Sequence, residues 1–237
     1  MKDKNYITNI EQNKKSNTKI GVRINKYLAL KKISTRRGAD ELVSAKKVYI
    51  NSKLAVLGDK VNEADKVEVK GAEQKEYKYF AYNKPIGIET DSPEAGLFPL
   101  GRLDKASHGL LILTNDGRIT DQLLNPKFFH EKEYVVRTSN KLRSNFKQKM
   151  EAGVNIEGYL TKKCKVKILS PFTFKVILTE GKKHQIRRMC ANLFQEVADL
   201  KRERIMNIKL GNLKLGTMRE INGEELTIFL NQVLHQS

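Results

Sequence analysis

The stretch GRLDKASHGLLILTNDG, from Gly101 to Gly117, joins a charged loop to an apolar segment. The loop places one carboxylate, Asp104, between Arg102 and Lys105, and the residues from Leu110 to Leu113 are all apolar. A glycine-bounded loop that leads into an apolar run predicts a buried strand with a polar entrance. On these residues alone Asp104 is either half of a surface ion pair or a functional acid.

Strand-like and helix-like segments are mixed on both sides of this stretch, without the strict alternation of a doubly wound fold. Apolar or alternating runs predict strands in FAYNKPIGI, GLLILT, KEYVVRT, KKCKVKIL, FTFKVILT and RIMNIKLGNLKL. Helical spacing predicts helices over residues 118–124, 144–152, 182–193 and 223–234. The expected fold class is therefore α+β, with a mixed, mainly antiparallel sheet.

The N-terminal third has a different pattern. Residues 1–20 are polar and basic and are expected to form a disordered tail. Residues 21–70 predict two helices, the second capped by Ser34 or Thr35, followed by strands in VYINSKLAV and KVEVK. A small αα-β domain at 21–70 is thus expected to precede a larger domain at 76–237.

Composition narrows the class of partner. The chain has 237 residues and a formal net charge of +18, which favours polyanions such as nucleic acid or an anionic membrane surface. No apolar run approaches the roughly 20 residues that span a bilayer, and no segment resembles a signal peptide. A basic amphipathic helix with aromatic anchors is also missing, so we expect a cytoplasmic protein that does not bind membranes.

Cys164, Cys190 and the four histidines fit no metal-ligand spacing, so no metal or cofactor is expected and both thiols should be reduced.

Two further segments carry clustered positive charge. TKKCKVKIL would place Lys163, Lys165 and Lys167 on one face of a strand, which fits either an opposing anion or a solvated face. TEGKKHQIRRMCANLF has apolar residues at core spacing, with Lys183, His184, Arg187 and Arg188 beside a helix N-terminus. Phosphate or carboxylate binding is the natural inference for that terminus, and an ordinary basic amphipathic helix is the alternative.

Taken together, these pieces resemble one family. GRLDKASHGLLILTNDG, with NKPIG before it, EKEYVV after it and GKKHQIRRM further on, resembles the RsuA/RluB/RluE/RluF family of bacterial pseudouridine synthases. RRMCANLF and ERIMNIKLGNLKLG are most similar to the RluF branch, which acts on large-subunit ribosomal RNA. RINKYLALKKISTRRGADELVSAKKVYINSKLAVLGDKV resembles the S-four-type RNA-binding domain that this family commonly carries. The resemblance covers residues 22–226 and implies a pseudouridine synthase catalytic domain at 76–237.

The resemblance implies specific roles for three residues. Asp104 matches the catalytic nucleophile, and one acid suffices because uridine is isomerised, whereas hydrolytic glycosidases usually need two carboxylates. Arg187 matches the arginine placed beside that acid, where a guanidinium would keep the carboxylate ionised. Tyr134 matches the tyrosine that stacks on the extruded base. NKPIG is expected to brace the active-site loop.

The same resemblance implies ribosomal RNA as the partner, either 23S rRNA or a pre-ribosomal particle, with tRNA as a further candidate. The protein is expected to act as a monomer. The candidate RNA-binding residues are Arg102, Lys105, Arg36, Arg37, Lys46, Lys163, Lys165, Lys183 and Arg188. The loop IETDSPEAGLFPL is shorter than is usual in the family and lies near the RNA entrance in related enzymes, so the resemblance specifies the reaction better than the target. The alternatives are action on small-subunit rRNA or tRNA, and a non-catalytic RNA-binding or ribosome-assembly protein.

Overall fold

A computed structural model of the chain describes residues 21–31, 33–71 and 76–234. The predicted disordered tail, residues 1–20, lies outside the described residues. The chain divides into two compact units, Met1–Glu76 and Tyr77–Ser237. No helix among the described residues has the length and apolar character needed to cross a membrane.

The first unit contains the two helices and the strands that its sequence predicts. Thr35 caps the second helix, since its side-chain oxygen accepts a hydrogen bond from the backbone N–H of Gly38 at 2.9 Å. Buried residues of both helices, such as Leu28 and Val43, pack with Val48 of the sheet in one core. The helices are α1 (Ile24–Leu30) and α2 (Arg36–Ser44), and the strands are β1 (Val22–Arg23), β2 (Val48–Ile50), β3 (Lys53–Leu54), β4 (Lys60–Val61) and β5 (Val67–Val69).

The second unit is built on one large sheet with helices packed against it. Its strands are β6 (Tyr79–Lys84), β7 (Phe98–Leu100), β8 (His108–Thr114), β9 (Lys132–Thr138), β10 (Asn155–Ile156), β11 (Tyr159–Leu160), β12 (Lys165–Ser170), β13 (Thr173–Leu178), β14 (Val197–Ile205), β15 (Ile208–Lys209) and β16 (Met218–Glu220). Its α-helices are α3 (Thr120–Leu124), α4 (Phe146–Ala152), α5 (Gln185–Asn192) and α6 (Gly223–Leu234), and short 3-10 turns span Gly117–Ile119 and Pro126–Phe128.

The strand order of the large sheet is β12-β13-β9-β14-β8-β6-β16, with β7 paired to β8 and β15 paired to β14. All of these pairs are antiparallel except β14 with β8. The prediction of an α+β fold with a mixed, mainly antiparallel sheet is therefore confirmed. Strand β8, which contains the apolar run of the opening stretch, lies inside the sheet between β14 and β6.

Alternation along the strands separates the two faces of the sheet. Phe174 and Val176 of β13 are fully buried and pack with Met189 of α5. Between them Lys175 points to the opposite face, where it forms ion pairs with Glu133 and Glu203. The face that carries the apolar residues also carries Tyr134, because Tyr134 pairs with Val176 across β9 and β13.

Some expected boundaries are wrong. Helix α5 begins at Gln185 rather than at residue 182, because His184 adopts a left-handed conformation (φ 51°) at its N-cap. Strand β12 begins at Lys165, and a register shift after Ile168 leaves that residue 42% exposed, although the alternation placed it on the buried face.

Candidate active site

The loop that carries Asp104 lies at the N-terminal end of the interior strand β8. Gly109 allows this placement, because a Cβ atom there would lie 2.3 Å from the carbonyl oxygen of Arg202 on the parallel neighbour β14. Gly109 also has φ +105°, a value that other residues avoid. The glycine therefore lets two backbones approach closely at the root of the loop.

Lys84, the lysine of NKPIG, braces the loop from below. It is fully buried, and its Nζ donates hydrogen bonds to the carbonyl oxygens of Ser107 at 2.9 Å and Pro85 at 2.8 Å. Burial lowers the pKa of Lys84, and the negative charges of Glu89 and Asp104 partly oppose that shift. The lysine of NKPIG thus supports the active-site loop as predicted, through a hydrogen bond from a buried ammonium group that also interacts electrostatically with Asp104.

A second brace, Arg202, was missed by sequence reasoning. Its side chain is almost fully buried, and it donates to the carbonyl oxygens of Leu110 at 2.7 Å and Arg102 at 3.3 Å. The signal was available in the sequence, because Arg202 occupies the same face of β14 as the buried Leu200. A charged residue at an inward position of an alternating strand indicates a buried polar function.

Arg187 holds the other end of the loop. Its Nη2 donates to the carbonyl oxygen of Ala106 at 2.8 Å, and its Nη1 donates to that of Val197 at 3.0 Å. The expected ion pair with Asp104 is not formed within 4 Å, since both terminal nitrogens of the guanidinium bond to backbone carbonyls. The sequence therefore identified a residue that reaches the loop of Asp104, but the predicted contact with the carboxylate is wrong in this structure.

The side chain that contacts the Asp104 carboxylate is that of His184. Its Nε2 lies 3.4 Å from Oδ1 of Asp104, and the left-handed backbone at the N-cap of α5 brings the ring there. The Asp104 side chain is 34% exposed, so solvent reaches the carboxylate in this structure. Exclusion of water from the carboxylate thus requires a bound partner.

Tyr134 of β9 lies near the loop that carries Asp104. It is partly buried and packs against the cluster that contains Leu103, the residue before Asp104. It also contacts the core beneath α4 and α5. Lys132, two residues earlier on the same face, has a pKa lowered to about 8, chiefly by burial and then by the positive charge of Arg202.

The predicted RNA contacts are at the surface in most cases. Arg102 and Lys105 are exposed on either side of Asp104, and Lys105 forms only a 3.9 Å ion pair with Glu89. Arg188 instead forms an ion pair with Glu157. The exposed members of the set also include Lys163, Lys165 and Lys183 of the second unit and Arg36, Arg37 and Lys46 of the first. Within the described parts of the chain, no three His, Cys, Asp or Glu side chains are grouped as metal ligands would be.

The two predicted core cysteines have different surroundings. Cys190 is fully buried, whereas Cys164 is partly exposed and its Sγ lies 3.2 Å from the carbonyl oxygen of Met150. Burial raises the pKa of each thiol to about 12. Both thiols therefore stay protonated and unreactive near neutral pH.

A single carboxylate in a loop held by cationic side chains, near an aromatic residue in a strongly basic protein, fits an enzyme that acts on RNA. Comparison with known proteins agrees: residues 42–192 match the family described as RNA pseudouridylate synthase. The dual-specificity RNA pseudouridine synthase RluF of Escherichia coli K12 is 40% identical over 223 residues, which cover 86% of this chain and 77% of the relative. The ribosomal large subunit pseudouridine synthase B of Bacillus subtilis 168 is 32% identical over 228 residues, covering 86% and 93% of the two chains.

Solved structures include a similar protein. A crystal structure of a pseudouridylate synthase superposes with a TM-score of 0.66 at 27% identity and covers 90% of this chain and all of the other. The chain therefore belongs to the RNA pseudouridylate synthase family. It is an isomerase that makes pseudouridine in RNA, and the RluF branch is the part of the family that its sequence supports.

Proposed function

We propose that the protein converts a specific uridine of 23S ribosomal RNA to pseudouridine, with Asp104 as the nucleophile. The observation that carries the proposal is the placement of Asp104 in a loop whose backbone is held by Lys84, Arg202 and Arg187. The large-subunit target is supported by the name of the relative from Bacillus subtilis, a ribosomal large subunit pseudouridine synthase. The relative from Escherichia coli is named a dual-specificity RNA pseudouridine synthase, which is compatible with a second RNA substrate, and tRNA is our candidate for it.

The reaction breaks the bond between the ribose C1′ and N1 of uracil, and forms a bond between C1′ and C5. The C5 proton is released, N1 gains a proton, and no other reagent is consumed. An ionised Asp104 can assist departure of uracil, either by attacking the sugar or by promoting elimination. Water must be kept from the sugar until the base has turned over, and the bound RNA would cover the exposed side of the carboxylate.

The three braces serve this step by limiting the motion of the nucleophile. Each brace is a cationic side chain that donates to a backbone carbonyl of the loop or of its adjoining strand. Hydrogen bonds to charged groups contribute about 1.5–3 kcal/mol each, so together they can hold the loop in one geometry before RNA binds. A preformed loop lowers the entropy that must be lost in the transition state.

Tyr134 would hold the extruded base. It is partly buried and packs against the cluster that contains Leu103, so a base that enters beside Asp104 would lie near an aromatic side chain. Stacking of a base on an aromatic side chain is worth about 1–3 kcal/mol by alanine substitution, which offsets part of the cost of base flipping.

The first unit would dock the RNA as an S-four-like domain. Its helices and small sheet carry Arg36, Arg37 and Lys46 at exposed positions, where they can contact phosphates. Contacts of this kind add affinity without reading sequence, and they are lost as salt rises.

Mapping of pseudouridine in the rRNA of strains with and without the gene tests the target. Loss of one pseudouridine from 23S rRNA in the deletion strain, restored by the wild-type gene and not by Asp104→Asn, is the expected result. Loss from 16S rRNA or tRNA alone would refute the proposed target while preserving the reaction. An unchanged set of modifications in all three RNAs would favour a non-catalytic RNA-binding role.

A further inference from the structure

A cavity of about 560 Å³ is lined in part by Arg187, and Asp104 is not among its lining residues. It is lined by Arg187 and Ala191 of α5, by Phe194, Gln195, Glu196 and Val197 between α5 and β14, and by Ser139 and Asn140 after β9. Its volume falls within the range of about 300–1,000 Å³ that is usual for small-molecule sites. Arg187 connects the two places, since it lines the cavity and bonds to Ala106 of the nucleophile loop.

Phe194 at the mouth of this cavity is unusual in two ways. Its ring is 67% exposed, and its backbone has φ +59°. The N–H of Phe194 bonds to the carbonyl oxygen of Ala191 and that of Gln195 to Cys190, the pattern that ends helices at a left-handed residue. Glycine is the usual residue there because a side chain strains the left-handed backbone. An exposed phenylalanine adds little to the buried core, so a use in binding is the alternative we consider.

Arg143 places a positive charge beside the exposed ring. Its guanidinium carbon lies 4.5 Å from the centroid of Phe194. The Arg143 side chain is exposed and, among the described residues, forms no ion pair with a carboxylate. An arginine beside an exposed aromatic ring is the combination that binds single-stranded nucleic acid, through stacking of a base and attraction of its phosphate.

Two residues of the lining carry oxygen acceptors, Gln195 at a buried position and Glu196 at an exposed one. Gln195 is 2% exposed, and its Oε1 has no hydrogen-bond partner, while its Nε2 donates to the carbonyl oxygen of Lys141 at 3.4 Å. Glu196 supplies a carboxylate to the same lining. An unpartnered buried acceptor beside a carboxylate favours a ligand with N–H donors, such as the pairing edge of guanine or uracil, over a phosphate group.

We propose that this cavity is a second nucleotide subsite, which takes one unpaired base of the RNA near the target uridine. That base stacks on Phe194, presents its N–H edge to Gln195 and Glu196, and places its phosphate near Arg143. The subsite rests on RNA as the substrate of the family and not on 23S rRNA as the target.

A double-mutant cycle between protein and RNA tests the subsite. The starting RNA is an rRNA transcript from which the wild-type enzyme releases tritium when uridine is tritiated at C5. The transcript is shortened to a hairpin, and a series is made in which one nucleotide near the target at a time is abasic. One position should exist where removal of the base raises KM at least about fivefold with the wild type, the lower end of a stacking contribution. With Phe194→Ala the same abasic change should alter KM less than twofold, because the partner ring is already gone.

Two further variants separate stacking from folding. Phe194→Trp should restore the dependence on that base, and Phe172→Ala, which removes another exposed ring (45% exposed), should leave it intact. Thermal unfolding of all variants checks that the fold is retained, and kcat at saturating RNA should change less than twofold. Equal effects of the abasic changes on the wild type and Phe194→Ala at every position would overturn the subsite. If the enzyme does not modify the transcript, filter binding of the same RNA series measures the double-mutant cycle as changes in Kd. A base whose removal raises Kd only when Phe194 is present supports the subsite, and equal changes at every position overturn it.

Discussion

Arg187→Lys is the substitution that most clearly distinguishes a fork-shaped brace from a simple positive charge. Arg187 uses two separate nitrogens, one for the carbonyl oxygen of Ala106 and one for that of Val197. Lysine keeps the charge but has a single ammonium group on a flexible stem, so it can serve only one of these carbonyls at a time. The bond to the nucleophile loop is the one we expect to be lost or shared.

The size of the effect follows from that bond. A hydrogen bond from a charged donor is worth about 1.5–3 kcal/mol, which corresponds to roughly 10- to 150-fold in an equilibrium or a rate. The bond to Ala106 lies near the surface, so the lower end of that range applies. We therefore expect about a 10-fold loss in the rate of the chemical step, because the loop spends less time in the productive geometry.

Single-turnover release of tritium from RNA labelled at uracil C5 measures this step without a contribution from product release. Arg137→Lys is the matched control, since Arg137 is exposed on β9 and lies three residues after Tyr134, on the opposite face of the strand. Filter binding with the same RNA should give Kd values within about threefold for both variants. A single-turnover rate for Arg187→Lys within twofold of the wild type would refute the bracing role.

Four other substitutions test separate parts of the account. Lys132→Met removes an ammonium group whose pKa is about 8 in the folded protein, against 10.5 for an ordinary lysine. The charged lysine therefore destabilises the fold fully below pH 8, and this effect disappears as the pH rises towards 10.5. In urea unfolding, the stability advantage of Lys132→Met over the wild type should therefore shrink by up to roughly 3 kcal/mol between pH 7 and 10.5, and a constant difference would contradict this. Gly109→Ala should prevent stable folding, since its Cβ would lie 2.3 Å from a backbone oxygen, whereas Gly216→Ala, with open space at its Cβ, should cost only about 1 kcal/mol by thermal unfolding. His184→Gln should lower the single-turnover rate only about fivefold, because a 3.4 Å contact between half-exposed groups is weak, and a loss of a thousandfold would give His184 a chemical role instead. Replacing Arg36, Arg37 and Lys46 together by alanine should reduce the slope of log Kd against log salt by about 2 and leave kcat at saturation unchanged, and an unchanged slope would remove the first unit from the RNA interface.

The sequence predicts several strands of the large sheet where residues alternate clearly, but it missed most of β14 (Val197–Ile205), since the expected segment RIMNIKLGNLKL begins only at Arg204. KEYVVRT matches β9 residue for residue, and the helix expected at 223–234 has those bounds in the structure. Boundaries fail where a single residue leaves the regular backbone. The left-handed His184 delays the start of α5, and that conformation depends on tertiary surroundings that spacing does not record.

The sequence predicted which residues belong to the candidate site better than it predicted the contacts that those residues make. Asp104, Tyr134 and Arg187 were identified from motif resemblance, and the structure places all three in or near one loop. Which carbonyl a guanidinium selects depends on distances of a few tenths of an ångström, so the bond from Arg187 to Ala106 could not be read from residue types. Arg202 was missed because its neighbours in KRER are charged, although alternation with Leu200 marked it as inward.

Tritium release by Asp104→Asn tests the central claim most directly. Asparagine keeps the size of the side chain and removes the negative charge, and Asp121→Asn, an exposed acid on α3, is the matched control. The account predicts no detectable release by Asp104→Asn with RNA affinity within about threefold of the wild type, and normal release by Asp121→Asn. Release by Asp104→Asn at a rate near that of the wild type would show that another group carries the reaction.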